Sequence, residues 1–156
     1  MTSEYIAKRA KKVLRRAGTR DMLQVARELN IHIQFNHYEE LLGMYFVVLR
    51  SRFISINEDL ENEMLQMVLA HEIGHDQLHR DIAKHSGLQE FQLFDIPGKC
   101  EYEANAFAAH LLLDTDEVRY YLKQGYDVVQ TAQMMNCNAN LMLIKVNEMN
   151  VLESLV

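Results

Sequence analysis

Residues 71–75 read His-Glu-Ile-Gly-His. Two histidines four apart lie on one face of a helix, one turn from each other. That spacing lets both imidazoles reach one Zn²⁺ and leaves Glu72 between them to serve as a general base. The chemistry such a trio supports is metal-assisted hydrolysis of a peptide bond. Glu72 would take a proton from the attacking water and deliver it to the leaving amine.

A hydrolytic zinc site uses three protein ligands and keeps a fourth position for water. His71 and His75 supply two. His79 is a poor third, because eight helical residues place it about 12 Å from His71 along the axis. Downstream, Glu101 and Glu103 stand in an Ala-rich segment that reads as a second helix. They point about 200° apart around that helix, so one of the two is expected to ligate. Positions 103, 106, 107 and 110 share a face, which would set Glu103 beside Ala106 and Phe107 in a dry pocket. Gly74 costs the first helix about 1 kcal/mol and, lacking a side chain, would let another element approach closely. A donor for the developing oxyanion is also wanted, and His110, Tyr102, Tyr45 and His79 are the candidates.

These groups need elements to hold them. Residues 3–17 read as a cationic helix stopped by Gly18, and Asp21 caps a second over 22–29. Ile31–Phe35 alternates, predicting a half-buried strand with His32 and Gln34 on the outer side. Residues 43–49 and 52–57 flank a tight link and predict a hairpin. A long helix over about 58–80, capped by Asn57 or Asp59, carries the histidines. Residues 81–99 are irregular, with Gly87 and Pro97-Gly98, and are expected to form a loop or lid. Helices follow over about 100–113 and 115–123, the latter begun by Asp114 and Glu117. Two short helices around a turn at 136–139 complete the chain. The expectation is one domain over 1–156, with a basic helix at 1–20 and a helical subregion at 126–156.

Composition narrows the class. About half of the 156 residues are apolar and a quarter charged, as in an ordinary globular protein. Two cysteines, Cys100 and Cys137, make no disulfide framework, so a reducing cytoplasm is the expected compartment. No secretory leader and no membrane-length apolar run is evident. Net charge is −6 but uneven: residues 1–20 hold seven basic groups to one acidic, and the remainder nets −12. The basic helix is expected to be a solvated face balancing an acidic body, with DNA contact through it as the alternative. Residues 126–156 carry Lys145 as their one cation, too few for phosphate binding, so packing or partner docking is expected there.

His71-Glu-Ile-Gly-His-Asp-Gln-Leu-His79 followed by Glu101-Tyr-Glu-Ala-Asn-Ala-Phe-Ala-Ala-His-Leu-Leu112 resembles the ImmA/IrrE family of zinc metallopeptidases. That family shows HELGHxxLH and ExEANxFAxxLL strings, and the similarity covers roughly residues 20–150. The resemblance implies an α+β, zincin-like fold, with a small antiparallel sheet or hairpin on a metal-binding helix pair and a helical C-terminal region. By motif position His71 and His75 match zinc ligands, Glu72 the catalytic base and Glu103, directly before Ala-Asn, the third ligand. It further implies a gluzincin-like endopeptidase of bacteria or their mobile elements that cleaves a helix-turn-helix repressor and so derepresses its genes. The usual Leu-Met-Pro after the second string is Leu113-Asp114 here. The alternative function is a non-catalytic module binding a regulator or DNA, of toxin–antitoxin or anti-repressor type.

Overall fold

A computed structural model describes residues 1–90 and 98–156. The element order is α1 (Ser3–Ala17), α2 (Met22–Glu28), β1 (His32–Asn36), β2 (Gly43–Val48), β3 (Ser51–Asn57), α3 (Asn62–Leu78), α4 (Arg80–Ala83), β4 (Leu88–Glu90), α5 (Lys99–Leu112), α6 (Thr115–Lys123), α7 (Val128–Met134) and α8 (Ala139–Ser154). The architecture is α+β, with a four-stranded sheet in the order β1-β3-β2-β4.

The sheet is mixed, and the expected hairpin is its antiparallel core. β2 pairs antiparallel with β3 and with β4, but β1 runs parallel to β3, His32 opposite Phe53. The two-residue hairpin link falls at 49–50, one residue earlier than expected: Leu49 sits at φ 57°, the left-handed turn geometry that lets β2 fold directly back as β3. As an edge strand β1 is barely covered, and Phe35, expected inside, is half exposed.

Helix ends follow capping chemistry. Thr2 accepts from the Tyr5 N–H at the start of α1, and Gly18 closes it at φ 68°. Asp21 caps α2, and Asp114 accepts the Glu117 N–H to start α6. α3 begins later than expected. Asn57 Oδ1 accepts from the Asp59 N–H at 3.0 Å, which closes a turn and delays the helix to residue 62. Its far end breaks at His79, where φ −127° and ψ 24° leave helical geometry before α4 resumes. Of the expected irregular stretch, α4 and β4 account for part, and residues 91–97 lie outside the described set.

α3 is the central element. It packs against the sheet on one side and most extensively against α5 on the other. The two helices meet at Gly74, where a Cβ would stand 2.9 Å from the Ala104 carbonyl oxygen and 3.1 Å from its Cα. Only glycine permits this crossing without displacing the α5 backbone. Asp76, fully buried on α3, ties the helix to the sheet: Tyr45 Oη donates to it at 2.8 Å and Arg52 at 2.8 and 2.9 Å.

α8 packs on α5 and α1 through a buried polar cluster. Lys145 Nζ lies 3.2 Å from His110 Nδ1, while Tyr102 and Ser3 hydroxyls donate to Glu148 at 2.9 and 3.1 Å. Lys145, the one cation of the C-terminal helices, is 1% exposed and out of reach of any phosphate. Among the described residues no helix is long and apolar enough to cross a membrane.

Candidate metal centre

α3 presents His71 and His75 one turn apart, with ring centroids 4.6 Å apart and their Nε2 atoms 3.0 Å apart. The carboxylate that meets them is Glu101, not Glu103. Glu101 Oε2 lies 3.2 Å from His71 Nε2 and Oε1 lies 3.4 Å from His75 Nε2. Glu103 points about 200° away on α5 and accepts from His79 Nε2 at 2.9 Å. Its other oxygen meets the Met1 amine, with Lys99 Nζ at 4.0 Å.

The reason lies in the Gly74–Ala104 crossing. Residues at 101, 104, 105 and 108 form the α5 face that this crossing turns toward α3. The expectation for Glu103 rested on a face of small and apolar residues. Yet α5 is buried on every side from Glu103 to Leu111, so apolar neighbours do not mark the side facing the metal helix.

The hydrogen bonds assign the imidazole protons. Asn105 Oδ1 lies 2.7 Å from His71 Nδ1, so Nδ1 carries the hydrogen and the Nε2 lone pair faces the cluster. On the other side Glu103 takes the His79 Nε2 hydrogen, which leaves His79 Nδ1 as an acceptor. That acceptor is 3.0 Å from His75 Nδ1, which must donate, again freeing Nε2. Asn105 and the Glu103–His79 pair thus do the same work for different histidines. Neither Asn105 nor this relay was picked out from the sequence; Asn105 stands four residues after Glu101, on its face, and that spacing was the available signal.

The two Nε2 atoms stand 3.0 Å apart with a Glu101 oxygen within 3.4 Å of each, an arrangement that a shared cation would satisfy. A proton is disfavoured: burial, opposed by Glu101, holds His75 down to about 4. Ligands about 2.0–2.1 Å from a tetrahedral ion stand roughly 3.3–3.4 Å from one another. The observed separations of 3.0, 3.2 and 3.4 Å fit a small divalent cation with two nitrogen donors and one oxygen. The imidazoles are 1 and 2% exposed and Glu101 28%, so the cluster reaches solvent on the Glu101 side.

Glu72 is fully buried beside the cluster. A Cβ on Gly43 would come within 3.2 Å of Glu72 Oε1 and 2.8 Å of Val68 Cγ1, so the bare start of β2 makes room for this carboxylate. Of the four candidate oxyanion donors, Tyr45 is committed to Asp76, Tyr102 to Glu148, and His110 sits between Lys145 and Glu148. His79 is held between His75 and Glu103.

A second trio, His79, Cys100 and Glu103, has donor atoms within 4.8 Å of one another. A cation on His79 Nε2 would move the ring hydrogen to Nδ1 and set it against the His75 Nδ1 hydrogen. The relay that frees His75 for the first cluster therefore opposes a metal at the second.

The family model for the IrrE N-terminal-like domain, a peptidase family, matches residues 26–141. The chain is 32% identical over 135 residues to "Uncharacterized immunity region protein 2" of Bacillus phage phi105, covering 86% of this chain and 84% of that protein. It is 28% identical over 144 residues to "Metallopeptidase ImmA" of Bacillus subtilis strain 168, covering 86% and 80%. With a family match spanning most of its length, and three donors placed where they could hold a metal ion, the chain belongs to the IrrE N-terminal-like family of metallopeptidases.

Proposed function

We propose that the protein is a zinc-dependent cytoplasmic endopeptidase with His71, His75 and Glu101 as metal ligands and Glu72 as general base. The observation that carries this reading is the convergence of three donors at 3.0–3.4 Å, with Glu72 between the two histidines on the same helix. Bound zinc would supply Lewis acidity, polarising the scissile carbonyl and easing ionisation of water. The chain supplies the rest. Asn105 and His79 orient the imidazoles, and Glu101 completes the donor set from the solvent side. Glu72, in its dry position beside Gly43, takes the proton of the attacking water and passes it to the amine that leaves. Water is excluded from the inner side of the cluster by the α3–α5 contact, which keeps these charges strongly coupled.

The substrate we propose is a helix-turn-helix repressor, cleaved to release a phage, mobile-element or stress regulon. The support is the family resemblance of the two motif strings and a relative named for a phage immunity region. The test pairs the protein with the helix-turn-helix protein encoded beside its gene and follows fragments by mass spectrometry. Glu72→Gln should keep one zinc and lose cleavage by about 10²–10⁴-fold. Cleavage unchanged in that variant would overturn the mechanism.

A further inference from the structure

One face of α1 carries a row of cations beside a groove. Arg9, Lys12 and Arg16 recur at helical spacing beside the buried Val13. Together with Arg52 and Arg80 they line a groove of about 280 Å³. Val13 and Leu29 form its apolar floor. Asp76 is the carboxylate at hand, and it is already spent on Arg52, Arg80 and Tyr45. Among the described residues Arg9, Lys12 and Arg16 make no ion pair, and Arg9 Nε is closed off from solvent with no hydrogen-bond partner. Holding five cations together at this cost, with so little internal neutralisation, is the signature of a surface that awaits an anionic partner.

The groove adjoins the C-terminal end of α3. Arg9, Gln77 and Arg80 also line the adjoining cavity of about 630 Å³, which reaches His79 and Glu103, the pair that orients His75. A ligand in the groove therefore lies on the His79 side of the metal helix, apart from the Glu101 side by which the cluster reaches solvent.

We propose that this groove binds an acidic segment of the polypeptide substrate, outside the scissile bond, and so sets which protein is cleaved. The inference rests on the peptidase reading above. A polypeptide fits better than nucleic acid on three counts. The space admits one extended chain, and its floor is apolar. No aromatic side chain lines it to stack a base, as single-stranded nucleic acid would want. A duplex, with a phosphate charge about every 1.7 Å, would also run onto a body whose residues 21–156 net −12.

The test uses full-length Glu72→Gln protein, which binds without cutting, and the fluorescence anisotropy of a labelled Asp/Glu-rich peptide. Two triple variants remove equal charge from neighbouring faces of one helix, about 100° apart: Arg9→Ala/Lys12→Ala/Arg16→Ala in the groove and Lys8→Ala/Lys11→Ala/Arg15→Ala outside it. The groove triple should weaken binding about tenfold and flatten its salt dependence, while the outer triple changes it less than about twofold. Lys12→Ala/Arg16→Ala, both exposed, serves if the Arg9 change impairs folding. Equal losses from the two faces would mean diffuse charge and overturn the proposal. So would no binding, or tighter groove-dependent binding of a DNA duplex of matching charge. Failure here leaves the Glu72→Gln cleavage result untouched, so the two readings fall separately.

Discussion

Gly74→Ala is the most informative single change, because the crossing at Gly74 decides which α5 residues meet the histidines. The added Cβ would sit 2.9 Å from the Ala104 carbonyl oxygen, where ordinary contact begins at 3.4 Å. The obstacle is backbone, so relief requires the helices to part by about 0.5 Å. Ala104 lies one turn from Glu101 and next to Asn105, so the same displacement withdraws a donor and loosens the hydrogen bond that orients His71. Stability of the metal-free protein responds weakly. Alanine gains about 1 kcal/mol in helix propensity against an overpacking cost of about 1–3 kcal/mol. Metal affinity responds strongly, since a shift of about 0.5 Å exceeds what a ligand set tolerates and such losses run about 10–100-fold. The stabilisation conferred by saturating zinc should fall by about 1.4–2.8 kcal/mol, or roughly 4–8 °C in Tm for a domain of this size. Competition with a chromophoric chelator measures the first quantity, and thermal unfolding with and without zinc the second. An unchanged zinc Kd in Gly74→Ala would refute the claim that the α3–α5 spacing builds the site.

The two glutamates should separate cleanly in the same chelator assay. Glu101→Gln should abolish tight zinc binding, and Glu103→Gln should weaken it about 10–100-fold by releasing His79 and with it the His75 orientation; the opposite ranking would restore Glu103 as the ligand. Lys145 gives a pH signature away from the metal. Burial, helped by Arg20, lowers its pKa from 10.5 to about 8, so between those values the unfolded chain binds the extra proton and stability rises with pH. Lys145→Met should therefore be favoured over wild type below pH 8 and lose up to about 3 kcal/mol of that advantage by pH 10.5, read by denaturant titration at each pH. A pH-independent difference would exclude the assignment.

The elements themselves were largely legible. Caps at Thr2, Asp21 and Asp114 and the stop at Gly18 are local chemistry, and local chemistry is written in adjacent residues. The parallel pairing of β1 was not, because strand partners are chosen across the sheet by a segment twenty residues away. Likewise the N-terminus of α3 was displaced by one side chain, Asn57, preferring a turn to a cap.

By itself the sequence determined that His71 and His75 share a helix face with Glu72 between them, since the i, i+4 relation depends only on helical pitch. It also determined that Glu101 and Glu103 face different ways. Which of the two meets the histidines is a question of absolute rotation, and a helix buried on all sides carries no amphipathic stripe to set it. The packing of Gly74 on Ala104 fixed that phase, placing Glu101 and Asn105 on one side and sending Glu103 to His79. Periodicity specifies angles within a helix; only contact with a second helix specifies where those angles point.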